Sequence, residues 1–196
     1  GFTIDSSPVV VNGIIYFGSA DSSLYALDAN TGKLKWSFPT SYGLISSPAV
    51  VNGVVYFGAE DHKVYALNAN KGNKLWDSGS TVGDVIDTSP AVVNGVVYVG
   101  SGDSKVYALD ATTGAFKWSY TTGGIIYSSP AVANGVVYIG SEDNNLYALD
   151  ATTGNKLWSF PTGYFIDSSP AVANGVVYVG SRDAKLYAFH LPGTTP

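Results

Sequence analysis

A Ser-Ser-Pro or Thr-Ser-Pro motif recurs along this 196-residue sequence, and the position three residues before its proline varies between copies. The residues at that position are Asp5, Ile45, Asp87, Tyr127 and Asp167, and aromatic rings lie upstream at Tyr42 and Tyr164. Carboxylates flanked by aromatic rings suit a cation, a sugar or a basic peptide. The candidate ligand-binding residues are therefore Asp5, Tyr42, Asp87, Tyr127, Tyr164 and Asp167. The alternative is that the aspartates cap strands and the aromatic side chains cover the core.

A second set of carboxylates is the same in every copy of the motif: Asp21, Asp61, Asp103, Asp143 and Asp183. Such a set could form a ring of acidic groups. An aspartate in a turn more commonly accepts hydrogen bonds from nearby backbone N–H groups. Because identity between internal copies indicates a shared structural task, we favour turn caps for these five.

Metal-binding patterns are incomplete in this sequence. The segment Asp28-Ala29-Asn30-Thr31-Gly32 is similar to the first half of a calcium loop, but the region that should supply a bidentate glutamate holds Leu34, Lys35 and Trp36. An Asx turn closed by a left-handed glycine explains the segment better. His62 and His190 have no aligned histidine partner, so no zinc cluster is expected. We predict neither a metal nor a cofactor.

Signatures of catalysis are also missing. The sequence lacks the nucleophile elbow and the glycine-rich nucleotide-binding loops. The serines of the Ser-Ser-Pro motifs have no base placed near them and occur in every copy. We predict no catalytic residue and no enzymatic activity.

The composition is that of a folded, acidic domain. Hydrophobic residues make up 45% and charged residues 13% of the chain, which excludes an intrinsically disordered protein. A formal net charge of -5 argues against a nucleic-acid partner. The absence of cysteine excludes a disulfide framework and a thiolate metal site. No apolar run approaches the roughly 20 residues needed to cross a bilayer, so no membrane insertion is expected.

Five copies of one unit account for the length of the chain. The prolines of the motif are Pro8, Pro48, Pro90, Pro130 and Pro170, at successive spacings of 40, 42, 40 and 40 residues. We predict a single domain over residues 1–196, with repeats at 5–44, 45–86, 87–126, 127–166 and 167–196.

Each unit is predicted to contain four short strands. In the second unit these cover residues 48–51, 54–57 and 64–67 and a fourth strand that opens at 74–76, with a polar loop at 58–63. Asn52-Gly53 lies between the first two and is a strong hairpin signal, because both central residues of a type I′ turn need positive φ. No segment shows a helical period of apolar residues, so the chain is predicted to be all-β.

Units of four strands and about 40 residues indicate a β-propeller. We predict about five four-stranded blades, the fifth lacking its outer strand because the sequence ends before one. A two-sheet sandwich gives no reason for five near-identical units. The ring could be a five-bladed monomer with one short blade, part of a larger ring, or a chain completed by a partner. We favour the monomer, although the open edge of the fifth blade also allows an oligomer.

The segment from Ala26 to Trp36 follows the pattern A-x-D-x-x-T-G-x-x-x-W, which recurs from Ala66, Ala108 and Ala148. It resembles the tryptophan-docking motif of the PQQ-type (quinoprotein-like) β-propellers, which include BamB-like repeats. The second copy departs from it, with Asn68 for Asp and Lys71 for Thr. The resemblance implies that each tryptophan stacks between an alanine of its own blade and the glycine turn of the next. The implied docking residues are Trp36, Trp76, Trp118 and Trp158.

The resemblance leaves three functions to weigh. The first is a fragment of a PQQ-dependent dehydrogenase. The resemblance implies an eight-bladed ring with a vicinal disulfide and a calcium shell for those enzymes, and this sequence has no cysteine. We favour a non-enzymatic binding or scaffold module that presents a face or channel mouth to a protein or glycan. A purely structural or engineered repeat propeller is the alternative. The family implies a periplasmic, cell-surface or secreted location.

Overall fold

A computed structural model describes residues 2–190, which form nineteen β-strands and no helix. Consequently no helix among these residues could span a membrane. The strands are β1 (Val9–Val11), β2 (Ile14–Ser19), β3 (Ser23–Asp28), β4 (Leu34–Pro39), β5 (Ala49–Val51), β6 (Val54–Ala59), β7 (Lys63–Asn68), β8 (Lys74–Asp77), β9 (Ala91–Val93), β10 (Val96–Gly100), β11 (Lys105–Asp110), β12 (Phe116–Thr121), β13 (Ala131–Ala133), β14 (Val136–Gly140), β15 (Asn145–Asp150), β16 (Lys156–Pro161), β17 (Ala171–Ala173), β18 (Val176–Ser181) and β19 (Lys185–His190). The predicted all-β class is confirmed.

The strands pair into five antiparallel sheets, each in the order of the sequence. Four sheets have four strands, and the fifth contains only β17, β18 and β19. Within the described residues the fifth sheet therefore lacks an outer strand, as predicted. The first strands of successive sheets contact one another, from β1 and β5 to β13 and β17. The sheets are therefore the consecutive blades of a β-propeller. Residues 191–196, assigned to the fifth repeat, lie outside the described residues.

The Asn-Gly pairs form the tight turns expected from the sequence. Asn52 and Gly53 have φ angles of 51° and 77°, and Val51 pairs with Val54 across the turn. Glycine reaches positive φ at no steric cost, and asparagine tolerates it. The loop predicted at residues 58–63 is shorter in the structure, because β6 ends at Ala59 and β7 begins at Lys63. His62 takes a φ of 68°, and this sharp turn lets Ala59 pair with Lys63.

The hydrophobic core lies between the blades. Tyr16, Leu24 and Ala26 of the first blade pack against Phe57 and Leu67 of the second. Three further clusters fill the next three boundaries. The middle blades therefore bury apolar side chains on both faces, which explains why their inner strands are apolar at consecutive positions.

A close contact joins each blade to the next. A branched side chain of each interblade linker rests on a glycine of the preceding blade: Leu44 on Gly18, Ile86 on Gly58, Ile126 on Gly100 and Ile166 on Gly140. All four branched side chains are buried. A Cβ added to Gly140 would lie 2.1 Å from Cγ2 of Ile166, so only glycine permits this approach.

Tryptophans of the outer strands link neighbouring blades. Trp76 pairs with Ala66 in its own blade, and its Nε1 donates a hydrogen bond of 3.0 Å to the carbonyl of Ala111 in the next. Its ring lies against Gly114, where an added Cβ would be 2.7 Å from Cε3. Equivalent bonds run from Trp36 to Ala69 and from Trp118 to Ala151. For Trp158 the equivalent acceptor would be residue 191, which lies outside the described residues.

The five loop aspartates each accept a hydrogen bond from the tyrosine four residues later, with oxygen–oxygen distances of 2.5–2.8 Å. Asp143 also accepts bonds from the N–H of Gly123, in a linker, and of Asn145, the first residue of β15. Burial acts to raise the pKa of Asp143, but the bonds from Tyr147, Gly123 and Asn145 outweigh it and hold that pKa below its usual range. This carboxylate therefore fastens a linker to a turn. Within residues 2–190, no group of acidic or histidine side chains is arranged to hold a metal.

The contacts that Trp76 makes with two blades lead to a first prediction. Trp76→Ala should lower the free energy of unfolding by about 3–5 kcal/mol, because it empties a buried site between two blades. Trp76→Phe keeps much of the ring packing and should lose less, with the hydrogen bond itself contributing about 1 kcal/mol. Chemical and thermal unfolding followed by circular dichroism measure both. Equal stability of Trp76→Ala and the wild type would contradict the docking role.

The aspartate–tyrosine pairs lead to a pH prediction. Tyr147→Phe should cost about 1 kcal/mol at pH 7, less than usual for a bond to a charged group because the site is partly exposed. A carboxyl whose pKa is lowered by folding stabilises the protein above its unfolded pKa of about 3.9, and this stabilisation is lost as the pH falls through the folded pKa. The difference should therefore shrink in acid.

Urea unfolding of both proteins at neutral pH and at about pH 3, close to the carboxyl range, measures this effect. Tyr120→Phe is the matched control, since the Tyr120 ring touches Tyr147 but its hydroxyl makes no bond to Asp143 in the described chain. A Tyr147→Phe loss that is equally large at both pH values would contradict the assignment.

Candidate functional site

The loops of every blade divide between two ends of the propeller because successive strands are antiparallel. The Asn-Gly hairpins and the turns between third and fourth strands lie at one end. The loops between second and third strands lie at the other, together with the interblade linkers. We call this second end the linker face: residues 2–8, 20–22, 40–48, 60–62, 78–90, 101–104, 122–130, 141–144, 162–170 and 182–184. All six candidate ligand-binding residues lie on it.

The serines of the Ser-Ser-Pro motifs are held in hydrogen bonds to the backbone. The first hydroxyl of a motif binds the glycine that rests under the linker, as Ser128 Oγ does with the N–H of Gly140 at 3.0 Å. The second accepts the N–H of the preceding motif, from Ser7 to Ser47, Ser47 to Ser89, Ser89 to Ser129 and Ser129 to Ser169, at 2.8–3.1 Å. We call this chain of bonds the serine ladder. The serine ladder was not predicted from the sequence, although the second serine, which is present in all five motifs, could have indicated it.

The three candidate aspartates have different surroundings. Asp5 is exposed and accepts a hydrogen bond from Thr3 Oγ1 at 3.0 Å. Asp167 is half-buried, and its Oδ2 lies 2.5 Å from Nη2 of Arg182. Asp87 is half-buried, and its Oδ1 has no hydrogen-bond partner within residues 2–190. In that range no backbone N–H bonds to any of the three, so strand capping is not what they do there.

Asp87 belongs to an acidic group with Glu60 and Asp84. Burial raises the pKa of Asp87, and the neighbouring charges of Glu60 and Asp84 raise it further. Sequence reasoning missed Glu60, which precedes a loop aspartate in another repeat. A signal was present, because that position varies from copy to copy: Ala20, Glu60, Gly102, Glu142 and Arg182.

The three candidate tyrosines are exposed and belong to three different interblade linkers. Tyr164 stacks on Phe165, with ring centroids 4.4 Å apart and planes at 22°. Tyr42 lines a groove with His62, Lys63, Gly79 and Val82 of the second blade. Within residues 2–190, no hydrogen bond, ion pair or ring contact joins any two of the six candidates. The structure therefore places them on one face without assembling them into one pocket.

The uncompensated charge of the protein lies on the linker face. Six carboxylates on this face occupy positions whose residue type differs from repeat to repeat: Asp5, Glu60, Asp84, Asp87, Glu142 and Asp167. Arg182 is the single cation among these positions, so the set carries five negative charges, equal to the formal net charge of the whole chain. The other nine acidic and nine basic side chains cancel. Five ion pairs join members of that second group.

The calcium-like segment folds as an Asx turn. Oδ1 of Asp28 accepts the N–H of Asn30 and of Thr31 at 3.1 and 2.9 Å, and Gly32 has a φ of 67°. The hydrogen bonds from Thr31 lower the pKa of Asp28. Asn68 accepts the equivalent two bonds in the second copy, so the turn needs an oxygen acceptor and no charge.

The comparisons with known proteins agree with this architecture. The family model described as outer membrane protein assembly factor BamB matches residues 3–85 and 77–193. BamB from Moraxella catarrhalis superposes with a TM-score of 0.82 at 22% identity, over 96% of this chain and 62% of that one. For the quinohemoprotein alcohol dehydrogenase ADHIIG from Pseudomonas putida HK5 the values are 0.77, 23%, 96% and 42%. For the computationally designed Ika8 protein they are 0.84, 18%, 94% and 57%.

These structural likenesses show a shared fold, since all three identities are below 25%. The chain spans less than two thirds of the length of each of these proteins. No curated protein matches the sequence. The two overlapping family matches cover nearly the whole chain. The chain therefore belongs to the family of the outer membrane protein assembly factor BamB, among the PQQ-type β-propeller repeat proteins.

Proposed function

We propose that this chain is a non-enzymatic binding or scaffold module that presents its linker face to a protein ligand. The observation that carries the proposal is the set of side chains on that face which the blades do not use. Tyr42, Tyr127 and Tyr164 are exposed, and unpaired carboxylates stand among them. Elsewhere the repeated residues are occupied by contacts between strands or blades.

The chemistry of this face fits a segment that carries basic and apolar side chains. Tyrosine is enriched at protein interfaces, and complementary charge favours a partner of opposite sign. The description of the family as an assembly factor supports a protein ligand. Exposed tyrosines also stack on sugars, so a glycan is the second ligand class for the experiment. A nucleic acid is not proposed, because the face is acidic.

The proposed absence of catalysis rests on how the polar groups are used. The Ser-Ser-Pro hydroxyls are held in the serine ladder and in bonds to glycine, and the loop aspartates are held by tyrosines. The family description supports an extracytoplasmic location: periplasmic, cell-surface or secreted. A quinone-dependent dehydrogenase fragment and a purely structural propeller are the competing functions.

A peptide-binding experiment tests the proposal. A fluorescent peptide of alternating lysine and tyrosine should bind the wild type, with an affinity that falls as salt is raised. The double variant Glu60→Gln with Asp87→Asn should bind about fivefold more weakly for each removed carboxylate, which corresponds to about 1 kcal/mol per charge. Fluorescence anisotropy measures both.

The matched control removes two charges from the opposite end of the propeller. Asp110→Asn with Asp150→Asn changes the net charge equally, and Asn68 already fills this turn position in the second blade. This control should bind the peptide as the wild type does at equal salt. Equal weakening by both double variants would show a non-specific charge effect and sink the linker-face assignment. Binding of a neutral oligosaccharide instead of the peptide would select the glycan, and absorbance from added quinone with calcium would select the dehydrogenase.

A further inference from the structure

The two ends of the propeller carry opposite charge. We call the end opposite the linker face the hairpin face: residues 12–13, 29–33, 52–53, 69–73, 94–95, 111–115, 134–135, 151–155 and 174–175, with the strand ends that border them. Six lysines belong to it: Lys33, Lys35, Lys71, Lys74, Lys117 and Lys156. Its four carboxylates are Asp28, Asp110 and Asp150, which end their strands, and Asp77, which pairs with Lys74. The hairpin face therefore has a net charge of +2, and the rest of the chain has -7.

A groove of about 470 Å³ opens on the hairpin face between the second and third blades. Val54 and Leu75 of the second blade and Val92 of the third supply apolar walls, and the exposed Asn94 and Thr112 lie at its rim. The groove lies within the chain, between two complete four-stranded blades. Its shape therefore depends only on blades that the structure describes in full.

The buried polar groups beside this groove are already paired. The hydroxyl of Tyr56 and Nε1 of Trp76 both donate to the carbonyl of Ala111, at 3.1 and 3.0 Å. Burial raises the pKa of Tyr56, and the charge of Asp110 raises it further, so this hydroxyl stays neutral. Because these groups need no polar partner from outside, the groove favours an apolar side chain.

The apolar character of this boundary comes from the outer strands. The residue before each outer-strand tryptophan alternates along the chain: Lys35, Leu75, Lys117 and Leu157. The residue before that one alternates in the opposite sense: Leu34, Lys74, Phe116 and Lys156. Directly opposed residues of an antiparallel pair share a face, and Phe116 is paired with Leu109, which packs in the core between the second and third blades. Leu75 and the half-exposed Phe116 therefore both belong to the boundary that holds the groove.

The same argument places lysines at the boundaries on either side. Lys74 is paired with Leu67, which packs between the first and second blades. Lys156 is paired with Leu149, which packs between the third and fourth, and it makes no ion pair within the described residues. The groove between the first and second blades is smaller, about 170 Å³, and no outer-strand residue lines it. One apolar groove is thus flanked by two basic boundaries.

We propose that the groove between the second and third blades binds a protein segment that carries a bulky apolar side chain flanked by carboxylates. The groove, with Leu75 in its wall, supplies the pocket for the apolar anchor, as buried apolar anchors are typical of protein interfaces. The acidic flanks follow from charge complementarity with the hairpin face. This site is distinct from the linker face, so the propeller binds segments of opposite charge at its two ends.

A peptide-binding experiment with the full chain tests the proposal. A fluorescent peptide of sequence Glu-Glu-Leu-Phe-Glu-Glu should bind the wild type one to one at low salt, measured by fluorescence anisotropy. Leu75→Lys should weaken binding about tenfold, or about 1.4 kcal/mol, because it removes an apolar wall of the groove. The added positive charge alone would attract this peptide, so a loss of affinity reports the apolar contact. Lysine already fills the equivalent positions Lys35 and Lys117, and circular dichroism should show an unchanged fold.

Two control variants separate this groove from the rest of the surface. Leu157→Lys makes the same substitution in the fourth blade and should bind the peptide no more weakly than the wild type. Glu60→Gln with Asp87→Asn alters only the linker face and should not weaken binding either. A wild type that does not bind the peptide, or a Leu75→Lys variant that binds it as tightly as the wild type, would overturn the proposal. So would equal losses in Leu75→Lys and Leu157→Lys, or a peptide with glutamine in place of glutamate that binds as tightly at low salt.

Discussion

Each sheet of this protein has two apolar faces, and the rest of the structure depends on burying them between neighbouring blades. A single sheet of three or four short strands cannot hide both faces, so stability comes from neighbouring blades. Glycine at the linker contact, tryptophan on the outer strand and the serine ladder near the axis all act across the same boundary. Gly140 shows how tight the constraint is, because its surroundings have no room for a Cβ. These glycines, tryptophans and serines therefore recur because they hold blades together.

The positions available for function are those whose side chains take no part in the contacts between blades. The backbone of each loop on the linker face is fixed by repeated bonds, such as those that Tyr147 and Gly123 donate to Asp143. The neighbouring position, occupied by Glu142 in this blade and by Arg182 in the fifth, is free to change without loosening the blade. Variation collects there, and with it the net charge of the protein. A rigid framework with an acidic, tyrosine-bearing surface is suited to binding.

Local signals in the sequence predicted most of the fold and part of the site. Asn52-Gly53 encodes its own turn, and the spacing of the prolines gave five blades, because each feature lies within one repeat. Contacts between residues of different repeats could not be predicted from the sequence in this way. Glu60 and Asp87 come from different units, and only the packing of one blade on the next brings their charges together. The short loop at His62 was missed because its length depends on a backbone angle that no residue type demands.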